Sequence, residues 1–277
     1  MQDSLLEALY GNVVGRFCVR PLISPAFSRA GGAFLNSGLS KALIGPTIRS
    51  HSIPMQEFEK REFVSYNDFF TRRLAQAARW VEPVPEIFVS PCDGLLKVYK
   101  ADEDSVFHVK HARYTVGSLL RNRKLAERFK GGYVWIFRLQ VADYHRYIYV
   151  DGGKVSRNVH IPGVFHTVNP AASDRFPVYK ENTREYCLLR SENFGTLLQM
   201  EVGAMLVGQI ENNPGNKTVA RGQEKGHFAF GGSTVILMTQ KGRVVPDQDL
   251  LESSRREIET RVQLGEKVGI SGRVDRV

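Results

Sequence analysis

The run KGHFAFGGSTVILM, Lys225 to Met238, constrains the fold more than any other stretch of the chain. It alternates and then becomes continuously apolar, as a buried strand does, yet Gly231, Gly232, Ser233 and Thr234 interrupt it. Glycines inside a strand pattern weaken the strand and mark a bulge, or a place where another group comes close to the backbone. The segment therefore reads as a flexible joint and a hydroxyl nucleophile in the middle of the core; the alternative is a bulge without chemistry. A serine attacks nothing at neutral pH without a base, usually an imidazole oriented by an acid.

Histidines and carboxylates that meet this need are few. SPCDG places Asp93 at a turn, DYHR places His145 and Arg146 between two strand-like runs, and HIPGVFHTVNP supplies His160 and His166. Taken singly, each reads as well as a structural residue, since an Asp before Gly is commonly a turn former. GGST is not the G-x-S-x-G elbow of α/β-hydrolases, and no strand–turn–helix pattern surrounds it, which excludes an ordinary serine hydrolase.

Around the joint, strands predominate from Val89 onward. GYVWIFRLQVADYHRYIYVDGG holds two β-rich runs before a turn at Asp151-Gly152-Gly153, GTLLQMEVGAMLVGQIENN is a long glycine-punctuated run, and GEKVGI is a last short strand. Ser65 to Trp80, SYNDFFTRRLAQAARW, predicts a helix capped by Ser65 with Asp68 three residues on. The sum is an α+β protein: a β-rich domain with a folded or barrel-like sheet over residues 61–277, and a helical arm over residues 1–60.

The arm is cationic, with Arg16, Arg20, Arg29, Lys41 and Arg49, and Pro21, Pro25, Gly31-Gly32 and Gly45-Pro46 cut it into two or three short helices. Such helices can settle into a headgroup layer with their cations near lipid phosphates. The alternative is an arm packed on its own domain or on a second subunit of a homodimer. A net charge of +9 over 277 residues favours an anionic partner: nucleic acid, a phospholipid surface or a phosphorylated substrate. No zinc-ligand spacing, RNA-binding aromatic motif or long basic run selects nucleic acid. No apolar run reaches the ~20 residues of a spanning helix, and Asp3 and Glu7 stand where a signal peptide carries cations. Cys18, Cys92 and Cys187 are too sparse for a disulfide framework and point to a reducing compartment. The expectation is a peripheral protein on the cytoplasmic face of the cell membrane.

Read together, NDFFTRRL, SPCDG, DYHR, IPG followed by HTVNP, VGAMLVGQI and GHFAFGGSTV resemble phosphatidylserine decarboxylases in order and spacing, from about Tyr66 to the C-terminus. FGGST is similar to the form in one bacterial branch, where others carry Leu-Gly-Ser-Thr. The resemblance implies that Ser233 is the precursor of a covalent pyruvoyl cofactor. Its Oγ attacks the carbonyl carbon of Gly232, the peptide becomes an ester, and β-elimination leaves a β chain of residues 1–232 and an α chain of residues 233–277. Glycines at 231 and 232 suit the strained backbone this requires. The new keto group then condenses with the amine of phosphatidylserine and serves as the electron sink while CO₂ leaves, giving phosphatidylethanolamine without metal.

The resemblance also assigns roles. Asp93 matches the acid of an Asp–His pair, and His145 is the proton donor to the carbanion. Many members carry a second histidine three residues after that of Tyr-His-Arg; here that position is Ile148. The self-cleavage base is then His145 or His166, or maturation is impaired. Arg72, Arg73 and Arg146 are candidates for pairing with the substrate phosphate or carboxylate. Two rival readings stay open: a pyruvoyl decarboxylase for another serine lipid or amino acid, and an uncleaved lipid-binding relative.

Overall fold

The computed structural model describes residues 25–101, 106–109, 112–167, 178–204, 209–229 and 233–272. Their strands are β1 (Ile87–Val89), β2 (Gly94–Lys100), β3 (Val106–Val109), β4 (Ala112–Thr115), β5 (Tyr133–Leu139), β6 (Arg146–Ile148), β7 (Gly153–Val155), β8 (Val159–Ile161), β9 (Arg184–Ser191), β10 (Gly195–Val202), β11 (Ile210–Asn212), β12 (Thr218–Val219), β13 (Glu224–Phe228), β14 (Ser233–Thr239), β15 (Val244–Pro246), β16 (Thr260–Val262) and β17 (Lys267–Ser271). The main sheet runs β12-β7-β9-β10-β14-β5-β2-β16, with β8 also paired to β9; smaller sheets are β11-β13-β6, β1-β17-β15 and the hairpin β3-β4. The α+β expectation holds, and the folded rather than the barrel form is realised: the main sheet ends in the short strands β12 and β16, which do not pair with each other.

Burial explains why β14 lies at the centre. Every one of its seven residues is buried. Val235 and Leu237 pack with Trp135, Phe137, Leu96 and Leu189, beneath Tyr147 and Phe228 of the β11-β13-β6 sheet. Ile236 and Met238 pack on the other face with Leu198, Met200 and Val134. A strand dry on both faces has to be apolar throughout, and this is the run that interrupts the alternation of the sequence.

A third cluster joins the arm to the ends of these strands. Leu35, Ile53 and Phe58 pack with Tyr66, Phe69 and Phe70, and with Tyr144, Ile148, Ala229 and Leu264. The described part of the arm is α1 (Pro25–Leu35), a 3₁₀ turn over Gly38–Leu43 and α2 (Ile44–Ser50). Gly45-Pro46 does not break it as expected; Pro46 falls in the first turn of α2, where its missing N–H costs nothing.

The helix predicted over 65–80 is shorter. Ser65 does cap it, accepting from Asp68 N at 3.1 Å, but α3 covers only Tyr66–Phe70. Beyond it the chain turns back to bond the arm: Glu59 N donates to Arg73 O at 2.9 Å and Ala75 N to Glu57 O at 2.9 Å. Tertiary pairing overrides the local helical preference of TRRLAQAAR.

Phe137 lies between Leu96 and Val235 on the inner face and is fully buried. Phe137→Ala is expected to cost about 3–5 kcal/mol, read as a lower urea midpoint at unchanged slope.

Candidate active site

Strand register assembles the site. Ser233 opens β14 opposite Leu139 of β5, and Thr234 stands opposite Val202 of β10. On the far side of β5, Gly94 begins β2 so close to its neighbour that a Cβ there would meet Arg138 O at 2.9 Å, which explains the glycine of SPCDG. Asp93, Leu139, Ser233 and Gly203 thus sit at one end of four adjacent strands, spaced by about 4.8 Å per strand. Ser233 shares a face with Val235 and Leu237, under the β11-β13-β6 sheet, whereas Thr234 points to the opposite face. Both side chains are fully buried, and neither Oγ of Ser233 nor Oγ1 of Thr234 has a hydrogen-bond partner among the described residues. Gly232, the other half of the expected junction, lies outside the described residues.

His145 reaches this end from the loop after β5. Asp143 shapes that loop, its carboxylate accepting from Gln140 N at 2.7 Å and pairing with Arg261. The carbonyl of Asp143 lies 2.9 Å from His145 Nδ1. A carbonyl only accepts, so Nδ1 carries the hydrogen and Nε2 presents its lone pair. The ring packs on Phe70, centroids 3.8 Å apart, and Nε2 is buried without a partner. Burial, and secondarily the Arg72 cation, hold its pKa well below the ordinary histidine range, so the ring is neutral. His145 O also accepts from Phe228 N at 2.9 Å, which ties it to the strand that leads, through Ala229, towards Ser233.

Asp93 does not meet an imidazole. Its carboxylate takes a two-pronged bond from Arg79, at 3.1 and 2.8 Å, and one from Leu264 N at 2.8 Å. Arg79 in turn holds Glu57 of the arm at 2.6 Å. Asp93 therefore pins the mouth of β2 to the C-terminal strands and to the arm. Glu57, Arg79, Asp93, Asp143 and Arg261 line a cleft between arm and strand ends.

His166 is brought to the same end, though by its backbone. Asn182 brackets it, accepting from His166 N at 2.8 Å and donating to His166 O at 2.7 Å, and the same amide donates to Gly203 O at 2.8 Å. Gly203 follows Val202, so it stands beside Ser233. The His166 imidazole lies 3.3 Å from Glu181, and burial lowers its pKa despite that carboxylate. His160 lies on β8, more than half exposed, and is remote from the joint.

The three arginines separate. Arg72 is buried, donating to Ala142 O at 2.8 Å and Asp143 O at 3.2 Å, with its guanidinium 4.2 Å from the Phe58 ring centre; burial lowers its pKa to about 10. Arg146 is spent on Thr71 O, at 3.1 and 2.9 Å, and on Glu224 at 2.8 Å. Arg73 is exposed, and no described side chain pairs with it. Ile148, where the resemblance implies a histidine, is buried and packs in one cluster with Ala229 and Leu264.

Sequence reasoning missed a second polar group on the same face. Glu201 of β10 and Lys225 of β13 form an ion pair at 2.5 Å, both fully buried, with Asn212 also bonded to each. Its signal was present, since Gln199 and Glu201 interrupt the apolar run LLQMEV at every second position.

An enclosed serine at the head of a core strand, with a neutral imidazole on the loop that follows the neighbouring strand, is the candidate site of an α+β enzyme whose chemistry is shut away from solvent. The profile of the family described as phosphatidylserine decarboxylase matches residues 66–270. The phosphatidylserine decarboxylase proenzyme 2 of Clostridium acetobutylicum is 42% identical over 97% of this chain and 92% of its own. The phosphatidylserine decarboxylase proenzymes of Clostridium novyi, 37% identical over 96% and 92%, and of Clostridium botulinum Eklund 17B, 43% over 79% and 75%, are similar too. The chain belongs to the phosphatidylserine decarboxylase family of carboxy-lyases.

The lowered pKa of His145 has a consequence for stability. The unfolded chain takes up a proton at an ordinary histidine below about pH 6.5, while the folded chain does not. The contribution is therefore intact above that pH and is lost as pH falls below it, at up to about 1.4 kcal/mol per pH unit for one proton. Urea titrations at pH 7.5, 6 and 5 are expected to show that His145→Gln loses less stability on acidification than the parent chain.

Proposed function

We propose that the protein is made as a proenzyme, cuts itself between Gly232 and Ser233, and then converts phosphatidylserine to phosphatidylethanolamine and CO₂ at the membrane surface. The observation that carries this reading is Ser233 itself: a buried hydroxyl without a partner, at the first position of the central strand, in a chain of this family. The site fits the group that Ser233 would become. Ser233 Oγ is fully buried and unbonded, and His145 Nε2 is a second buried atom without a partner among the described residues. A pyruvoyl group there supplies a carbonyl that takes the substrate amine and draws off the electrons of the bond to the carboxylate.

The chain's own residues do the rest. Asp143 O fixes the tautomer of His145, so Nε2 is the atom that accepts a proton and returns it to the carbon that has lost CO₂. The stack of His145 on Phe70 and the cover of Phe58 and Arg72 keep water out. Of the three arginines, Arg73 is the one without a pairing side chain among the described residues and is left for the phosphate, since Arg72 holds backbone carbonyls and Arg146 holds Thr71 O and Glu224. The cleft beside Asp93 is the way in for the headgroup. His166, steadied by Asn182 next to Gly203, is the imidazole nearest the joint by backbone position.

The fold also suits a chain that survives its own cut. Residues 233–277 would carry β14, held between β5 and β10, β16 paired with β2, and β17 paired with β1. Three strands are interleaved with the other fragment, so the two chains stay together. On the arm, Phe34 (51% exposed) and Leu39 (81%) present apolar side chains with Lys41 nearby, and no helix of the described residues is long and apolar enough to cross a membrane. This surface would lie in the headgroup layer of the cytoplasmic face.

A denaturing mass spectrum of the purified protein tests the reading. Two chains ending at Gly232 and beginning at residue 233 are expected from the parent chain, and one full-length, inactive chain from Ser233→Ala. Cyanoborohydride with phosphatidylserine should attach the amine to the smaller chain and abolish CO₂ release. His145→Ala should lower CO₂ release per mature molecule. A fragment still forming in Ser233→Ala sinks the proposal.

Arm variants address the membrane. Phe34→Ser with Leu39→Ser should leave cleavage intact but weaken sedimentation with anionic vesicles, and the remaining binding should fall with salt, since exposed charges are screened over about 10 Å at 0.1 M. Unchanged sedimentation would assign the arm to packing.

A further inference from the structure

We propose that Glu201, held in place by Lys225, takes the hydroxyl proton of Ser233 when the chain cuts itself. This rests on the self-cleavage reading above.

Register puts the two groups together. β10 and β14 are antiparallel, with Glu201 opposite Val235. Ser233 lies two residues from Val235, so Glu201, Val235 and Ser233 project from the same face. Diagonal neighbours of this kind stand about 7–8 Å apart at Cα and closer at Cβ, within the combined reach of a glutamate and a serine side chain. Both residues are fully buried. Glu201 Oε2 is occupied by Lys225 Nζ at 2.5 Å and Asn212 Nδ2 at 3.0 Å, whereas Oε1 has no partner among the described residues, and neither has Ser233 Oγ. Leaving a buried polar atom unbonded is costly. Two such atoms on one face, one a carboxylate oxygen and the other a hydroxyl, are placed to exchange a proton.

The other acids and bases at this end are engaged. Asp93 is taken up by Arg79 and Leu264 N–H, and Asp143 by Arg261 and Gln140 N–H. His166 lies against Glu181 and Ile148 has no proton chemistry, while His145, whose Nε2 is without a partner among the described residues, is the base proposed above for decarboxylation. Lys225, for its part, is aimed at Glu201 by a break in strand register: pairing of β13 with β6 shifts between Glu224 and Gly226, and a bulge re-aims the side chain at its centre. Burial raises the Glu201 pKa, which makes its carboxylate a readier proton acceptor, while the Lys225 cation and the Asn212 amide act against that rise and favour the ionised form. Lys225 also stands on the strand that continues through Ala229 to the joint.

The step balances without a co-reactant. The Ser233 Oγ–H bond breaks and its proton goes to Glu201 Oε1, while the Oγ electron pair bonds to the carbonyl carbon of Gly232. The bond from that carbon to Ser233 N then breaks, and the nitrogen takes the proton back from Oε1. An amide has become an ester and Glu201 is restored.

The test follows full-length chain turning into fragments, by denaturing mass spectrometry, in the parent, Ser233→Ala, Glu201→Gln and Glu201→Asp. Glutamine keeps the size of the side chain and its bond to Lys225. Glu201→Gln is expected to fold, as judged by circular dichroism, and to mature on the order of 10²-fold more slowly or worse. Neutral hydroxylamine, which cuts esters but not amides, should leave it whole. Maturation at the parental rate, or a hydroxylamine cut at residue 233, overturns the inference. Should Glu201→Gln fail to fold, Glu201→Asp carries the test, because it keeps the charge but withdraws it by one methylene. Cleavage on the order of 10- to 100-fold slower, with parental CO₂ release per mature molecule, supports the role; parental cleavage, or a loss in both readouts alike, overturns it. A parent chain that stays whole or breaks elsewhere would instead sink the self-cleavage reading.

Discussion

The molecule is organised around a strand that is dry on both faces and paired on both sides. β14 cannot be moved without opening the inner cluster, the outer cluster and two ladders at once, so its first residue is held as firmly as any in the protein. Ser233 takes its position from that rigidity. A hydroxyl on a loop would sample many orientations, whereas at the head of a core strand its direction follows from the pleat.

Polar groups between the main sheet and the β11-β13-β6 sheet form the second constraint. Lys225, Glu201, Asn212, Gln199 and His145 occupy a layer that would otherwise be hydrocarbon. Buried charges are tolerated when paired, and breaking one such pair from either side is costly. In the same low-dielectric layer His145 is kept neutral, so its free nitrogen is a base before it is an acid. Structure and chemistry draw here on one physical fact, the exclusion of water.

Arg79 connects this layer to the arm, since it holds Glu57 with one nitrogen and Asp93 with two others. Phe58 and Leu35 enter the cluster that also contains Tyr144 and Ala229. The arm's inner side is thus part of the wall of the site, while Phe34 and Leu39 point outward. An element with one face on the catalytic cluster and one apolar face in solvent suits an enzyme whose substrate resides in a lipid layer.

Features set by neighbours along the chain were legible without coordinates. The apolar run of Thr234–Met238 announced a buried strand and Ser65 the start of α3, because patterning and capping act over a few residues. The same local logic misjudged the end of α3, where Arg72 and Arg73 answer to Asp143, Ala142 and Glu59, which lie elsewhere in the chain. The sequence by itself therefore determined the mixed fold class and a buried apolar run after Ser233. Only the tertiary structure decided the partners of the polar residues: that Asp93 binds Arg79 and not an imidazole, that His145 keeps a bare nitrogen, that Arg72 and Arg146 are structural, and that Glu201 shares a face with Ser233. Those outcomes depend on strand register and on competition for hydrogen bonds, and both are settled by residues far apart in sequence that meet when the sheets close.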